Sequence, residues 1–366
     1  VTAADRVDER ADRHLVPATC PKAMRWGPCG GVRPDGECEV GGFRCPFLDR
    51  PVLGPEVQLP ATRPAFPTWP RPWLLVDVRD TSAGRAGASR VWERAAGALV
   101  GAVALVGEHV EDADSDAARL PLDEVVSILT GAGVPVVVTI TGRGRSRLEA
   151  ARRIRMLRSA GVSAVHAVTG DHPRSLSVPQ PPTWGTEGTS LTALAASLHL
   201  PVTVAESPAA PGDRQARLEV KRAHGASAVV LNHAGAPAVL IAFVDEHHRR
   251  VAADRHRAPA LSAVAPVPMT GDEDVARRLA ALPGVVLPPG WSAALRGGGA
   301  AAGVARAAEL AAELVGSGRF AGVNLSGDPG GRRAEERVER TAAFIAAVRS
   351  ALPPTPAPPG RLRPAG

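Results

Sequence analysis

From residue 73 onward the chain repeats one pattern: a short unbroken apolar run rich in Val and Leu, a polar cluster, then a longer Ala/Arg/Leu stretch with helical spacing. Unbroken apolar runs bounded by turn residues suit strands buried on both faces. The pattern predicts strands at 73–78 (WLLVDV), 101–107, 135–140, 163–170, 201–206, 227–232, 260–267 and 321–327. Helices lie between them. In one, 145–160, Leu148, Ala151, Ile154 and Leu157 are expected to form an apolar stripe while Arg152, Arg153, Arg155 and Arg158 face elsewhere. Eight strands alternating with helices over about 280 residues match a (β/α)8 TIM barrel, an α/β fold. A doubly wound open sheet is the competing architecture, but no GxGxxG follows the first strand.

The flanks divide the chain further. Residues 1–50 hold all four cysteines, 51–72 carry seven prolines and read as an extended linker, 73–350 form the barrel, and 351–366 read as a disordered tail. In a (β/α)8 barrel the active site lies where the strands end. That rule gathers Asp77, Asp80, Glu108, His109, Thr141, Arg143, Gly170, Asp171, Glu206, Asn232, His233 and Asn324 on one face. Acids and amides dominate the set, which suits holding a heterocycle with several N–H donors and protonating a leaving nitrogen. The connection 174–190 is long for a βα loop, which favours a functional role.

Composition removes several alternatives. There is no Tyr, and of 43 basic residues only Lys22 and Lys221 are lysines, so a phenolic base is excluded and a Schiff-base lysine has two candidates. Few aromatics mean a core of Val, Leu, Ile and Ala. The net charge of +6 comes from arginines interleaved with acids, without a basic block or an aromatic and basic run, so no nucleic-acid partner is expected. No apolar run approaches the roughly 20 residues that span a membrane. The opening residues, VTAADRVDERADRH, are too charged for a signal peptide, and the expectation is a cytoplasmic protein with no membrane partner.

In a reducing compartment, four clustered cysteines call for something other than disulfides. Cys20, Cys29, Cys38 and Cys45 are separated by eight, eight and six residues, without the CxxC knuckles of common zinc ribbons. Neighbouring glycines let the backbone approach a metal closely. Four cysteine ligands match tetrahedral zinc or one cubane iron–sulfur cluster.

The strings CPK, GPCGG and GECEV in this module resemble the cysteine-rich module found with methylenetetrahydrofolate reductases, usually at their C-terminus; here it precedes the barrel. Two barrel segments resemble the same family: VVVTITGRGRSRLEAARRIRMLRSAGVSAVHAVTGDHP, ending in a GD-x-P turn, and LEVKRAHGASAVVLNH. The resemblance implies a folate substrate, with Asp171 against the pterin ring and the developing cation, and Asn232 in place of a folate-contacting glutamine. It also implies departures. The family's first-strand glutamate is missing from WLLVDVRDTS, leaving Asp77, Asp80 or Glu108 as the acid, with Glu108 favoured and Asp80 second. The fifth strand ends in VAESPAAP, which keeps Glu206 but lacks the Tyr and His of the flavin segment, and so argues against FAD.

The activity expected from the resemblance is an oxidoreductase step of one-carbon metabolism, on the route to methionine: reduction of 5,10-methylenetetrahydrofolate to 5-methyltetrahydrofolate. Glu108, Asp171 and Asp80 would be catalytic. Asp171, Asn232, Arg143 and Glu206 would bind substrate, with Arg145 and Arg147 also near the folate tail. NAD(P)H, or the cysteine centre fed by a redox partner protein, would supply electrons. The alternative is a catalytically inactive folate-binding or electron-transfer accessory protein.

Overall fold

The computed structural model describes residues 19–56, 64, 66–78, 85–107, 120–142, 144–170, 186–253 and 259–354. A small hairpin of β1 (Glu37–Cys38) and β2 (Gly41–Arg44) comes first. The barrel strands are β3 (Trp73–Val78), β4 (Val103–Gly107), β5 (Val136–Thr141), β6 (Ala164–Val168), β7 (Val202–Glu206), β8 (Ala228–Leu231), β9 (Ser262–Thr270) and β10 (Gly322–Asp328). All eight pair in parallel, in sequence order, and β10 closes on β3. The expected fold class is therefore observed, with every predicted strand present and its ends shifted by no more than a few residues.

Helices cover the outside: α1 (Arg85–Ala98), α2 (Leu122–Gly131), α3 (Arg147–Ser159), α4 (Gly188–Ser197), α5 (Arg214–Ala223), α6 (Pro237–Ala253), α7 (Glu273–Ala280), α8 (Trp291–Gly316) and α9 (Ala334–Ala351). Their starts follow local chemistry. Ser146 and Glu149 form a capping box on α3, and Asp213 and Asp272 each accept the N–H three residues on, satisfying donors that the helix leaves open.

Alternate strand residues serve two cores. Leu74, Val76, Val136 and Val138 face the helices, whereas Trp73, Leu75, Val137 and Ala164 fill the barrel interior. This division is why the strands carry no polar alternation. The proline-rich segment is not merely a spacer, because Phe66 and Trp69 pack on Trp73 with ring centroids 5.3 and 5.5 Å away, closing the barrel floor. One packing expectation fails in α3. Leu148 is 52% exposed, and Ala150 joins Ala151, Ile154 and Leu157 in the core. At 100° per residue those four centre about 130° from Leu148, so it falls on the outer face. The long 174–190 connection also ends earlier than read, since α4 already begins at Gly188.

Candidate functional site at the barrel mouth

The C-terminal strand ends enclose a cavity of about 320 Å³. Barrel residues supply Asp77, Ser207, Asn232 and Ser326 to its wall, and α5 supplies Arg217 and Lys221. The cysteine module supplies Lys22, Cys29, Gly31 and Glu39, so it roofs the barrel mouth. Polar side chains hold one another in place there. Asn324 Nδ2 donates to Asp77 Oδ1 at 3.1 Å, Asn232 Nδ2 to Ser207 Oγ at 3.2 Å, and His233 Nε2 lies 2.7 Å from Ser326 Oγ. Burial lowers His233 to about 4, which keeps the ring neutral at physiological pH.

The module is fastened by buried bonds. Glu187 Oε1 accepts the backbone N–H groups of Arg25 (2.9 Å) and Trp26 (3.2 Å), and the Trp26 indole donates to Ser190 Oγ at 2.9 Å. Lys22 pairs with Glu39 and donates to the Gly170 carbonyl at 2.8 Å. A Cβ on Gly284 would stand 2.9 Å from the Gly30 carbonyl oxygen, and φ there is +71°, so glycine permits this close approach. Burial pushes Glu187 up to about 7, despite its two N–H donors and the charges of Arg217 and Arg25.

Beside the roof lies a buried charge cluster. Glu206 faces Lys221 at 2.7 Å, Arg217 at 3.3 Å and Arg214 at 3.7 Å. Burial alone would raise the Glu206 pKa, but these three cations outweigh it and bring it to about 2. Burial and Arg217 lower Lys221 to about 8, against the pull of Glu206. Three cations against one carboxylate leave two positive charges in excess. Arg214 carries that excess to the module, donating from one guanidinium nitrogen to the Cys29 carbonyl at 3.0 Å.

All four cysteines are free thiols, and they line one cavity of about 20 Å³ together with Met24, Val32 and Phe47. Burial pushes Cys20 up to about 11 and raises Cys45 as well. Among the described residues, no three His, Cys, Asp or Glu side chains converge tightly enough for a single metal ion. The sulfurs thus surround a space instead of meeting at a point.

No protein-family model and no curated protein matches the chain. Solved structures do resemble it. An uncharacterized protein from Clostridium thermocellum, which binds two copies of 5-methyl-5,6,7,8-tetrahydrofolic acid, is 11% identical with a TM-score of 0.57 over 76% of this chain and 95% of its own. Dihydropteroate synthase from Stenotrophomonas maltophilia is 12% identical, with a TM-score of 0.40 over 76% and 91%. Tryptophan synthase from M. tuberculosis is 13% identical, with a TM-score of 0.40 over 76% and 93%. The first likeness shows the fold.

The expected site residues divide accordingly. Asn232, Glu206 and Asp77 reach the mouth cavity. Asp80, Glu108, His109, Arg143 and Asp171 lie outside the described residues. Arg145 and Arg147 do not line the cavity; Arg145 donates back to the Thr141 carbonyl at 3.1 Å. Among the described residues, the cations at the mouth are Lys22, Arg217 and Lys221. A signal for two of them was present in the sequence. Both lysines of this arginine-rich chain stand on this one cavity, each presenting a compact ammonium to a buried partner.

Proposed function

We propose that the chain binds a reduced folate in its barrel mouth and reduces 5,10-methylenetetrahydrofolate to 5-methyltetrahydrofolate. One observation carries the reading: a cavity of about 320 Å³ in which a carboxylate steadied by an amide, a second amide and hydroxyls face the same space. A pterin edge presents N–H donors and a carbonyl, and Asp77 with Asn232 offers the complementary set. The resemblance of the cysteine module and two barrel segments to methylenetetrahydrofolate reductases supports the same ligand, as does the folate bound by the Clostridium thermocellum barrel.

Opening the imidazolidine ring requires a proton on the leaving nitrogen, and the iminium that forms requires a nearby negative charge. Asp77, a carboxylate on the cavity wall that accepts from the Asn324 amide where Glu39 and Glu206 pair with cations, would serve either task; Glu108, Asp80 and Asp171 are the further candidates. Hydride from NAD(P)H, or electrons delivered through the module by a redox partner protein, complete the methyl group.

The thiol cavity fits a metal centre. Burial raises the Cys20 and Cys45 thiols, and a bound cation is what would stabilise thiolates there. Four thiolates on zinc or on an oxidised [4Fe–4S] core carry formally two negative charges, matching the excess on α5. Cys20, Cys29, Cys38 and Cys45, which line this one cavity, would hold the centre. A cluster would supply single electrons, whereas zinc would supply only structure.

The test uses anaerobically purified full chain. Calorimetry with 5-methyltetrahydrofolate is expected to show binding, and methylenetetrahydrofolate should turn over with NADH, NADPH or reduced methyl viologen, with or without FAD. Asp77→Asn is expected to lower turnover about 100-fold or more while leaving folate affinity within about tenfold. Absence of folate binding would sink the reading. Binding without turnover by any donor would replace it with the accessory-protein alternative.

A further inference from the structure

A second cavity, of about 260 Å³, lies between α1, α9 and the ends of β3 and β10. Its character differs from the mouth. Val91, Trp92, Ala95 and Leu99 present an apolar α1 face, and Arg337 and Thr341 come from α9. Asp77 and Gly327 line both cavities. The reason is in the strand pairing. β10 and β3 pair from Gly322 with Trp73 to Leu325 with Val76. Beyond that point Asp77 and Val78 pair with β4, while Ser326 to Asp328 pair with β9. The first and last strands therefore part from each other at their C-terminal ends, and Asp77 and Gly327, at that parting, stand on the wall of both cavities.

Two further details give the outer cavity a polarity. The Trp92 indole N–H is buried and has no hydrogen-bond partner among the described residues. A buried donor left unpaired is costly, so an acceptor supplied by a ligand would recover that cost. Half-buried Arg337 donates to the Gly331 carbonyl at 3.2 Å, and no ion pair joins it to a described carboxylate. Asp328 shares this wall and accepts the Gly330 N–H at 2.8 Å. The mouth thus offers hydrogen-bonding groups, and the outer cavity an apolar wall with an unpaired donor and a cation.

We infer that one elongated ligand occupies both cavities, its polar ring at Asp77 and Asn232, its aromatic middle passing the Asp77–Gly327 parting onto Trp92, and its anionic end at Arg337. The inference rests on the folate reading and deepens it, because the p-aminobenzoylglutamate tail has that order of groups: an aryl ring, an amide carbonyl for the indole N–H, and carboxylates. It assigns the tail to a pocket outside the barrel wall and away from the module roof.

The test compares 5-methyltetrahydrofolate with 6-methyltetrahydropterin, which has the ring and no tail, by calorimetry on the full chain. Ala95→Leu narrows the outer cavity and is expected to weaken folate at least about tenfold while leaving the pterin within about twofold. Trp92→Phe and Arg337→Gln should each weaken folate about fivefold, again sparing the pterin. Melting temperatures within a few degrees of the unmodified protein establish that the variants fold. Folate binding that survives all three substitutions overturns the inference and leaves the folate reading standing. So does a stoichiometry of two folates that falls to one in Ala95→Leu, which would put a second molecule in the outer cavity. If neither ligand binds the unmodified protein, the folate reading itself fails and this inference falls with it.

Discussion

Replacing Glu206 by Gln removes the carboxylate that pairs with Arg214, Arg217 and Lys221 and keeps the side chain's shape. The carboxylate's pKa falls from 4.5 to about 2, a difference near 2.5 units. At 1.36 kcal/mol per unit, the charged form stabilises the fold by about 3 kcal/mol. Because the folded pKa is depressed, this contribution is fully present above pH 4.5 and is lost as pH falls toward 2. Stranding buried cations by removing their partner costs about 3–5 kcal/mol, so Glu206→Gln is expected to lose that much in urea unfolding at pH 7. The three cations would then lack the carboxylate they pair with. Adding Lys221→Met returns the excess to two, the native value, and should recover at least about half of the loss. A single-variant loss below about 1 kcal/mol, or a double variant no more stable than the single, would refute the charge-balance reasoning.

Glu187 gives the opposite pH signature. Its folded pKa of about 7 exceeds its ordinary 4.5, so its contribution is present below pH 4.5 and lost as pH rises through 7, and Glu187→Gln should flatten stability across that window. Unfolding midpoints between pH 4 and 8 measure it; an unchanged slope counts against the buried-acid reading. Cys45→Ser should release bound metal, seen as loss of iron or zinc by elemental analysis and of any visible absorbance; unchanged metal content would remove Cys45 from the ligand set. Phe344, fully buried on α9, should cost about 3–5 kcal/mol when truncated to Ala, measured by urea unfolding; a loss under about 1 kcal/mol would mean that the α9 packing is wrong.

The barrel was legible because strands buried on both faces must be apolar throughout. WLLVDV or PVVVTI has no half-polar reading, and the intervening helices carry ordinary capping signals such as Ser146 with Glu149. The cysteine cluster was equally visible, since thiol chemistry is local in sequence. Strand-end counting brought Asp77, Asn232 and Glu206 to the mouth, but the direction of a side chain at a strand end is not periodic. Glu206 turns its carboxylate to α5, where three cations already hold it. Leu148 shows the same limit on a helix, where spacing allowed two stripes and packing chose one.

The sequence by itself determined a (β/α)8 barrel preceded by a four-cysteine module, because burial pattern and residue clustering are properties of neighbours along the chain. Only the tertiary structure decided that the module roofs the barrel mouth, that Lys22 and Lys221 line one cavity across 199 positions of sequence, and that β3 and β10 part where Asp77 and Gly327 line two cavities. Those are contacts between distant segments. They depend on where strands stop pairing and how buried charges find partners, and no local pattern of residues encodes either.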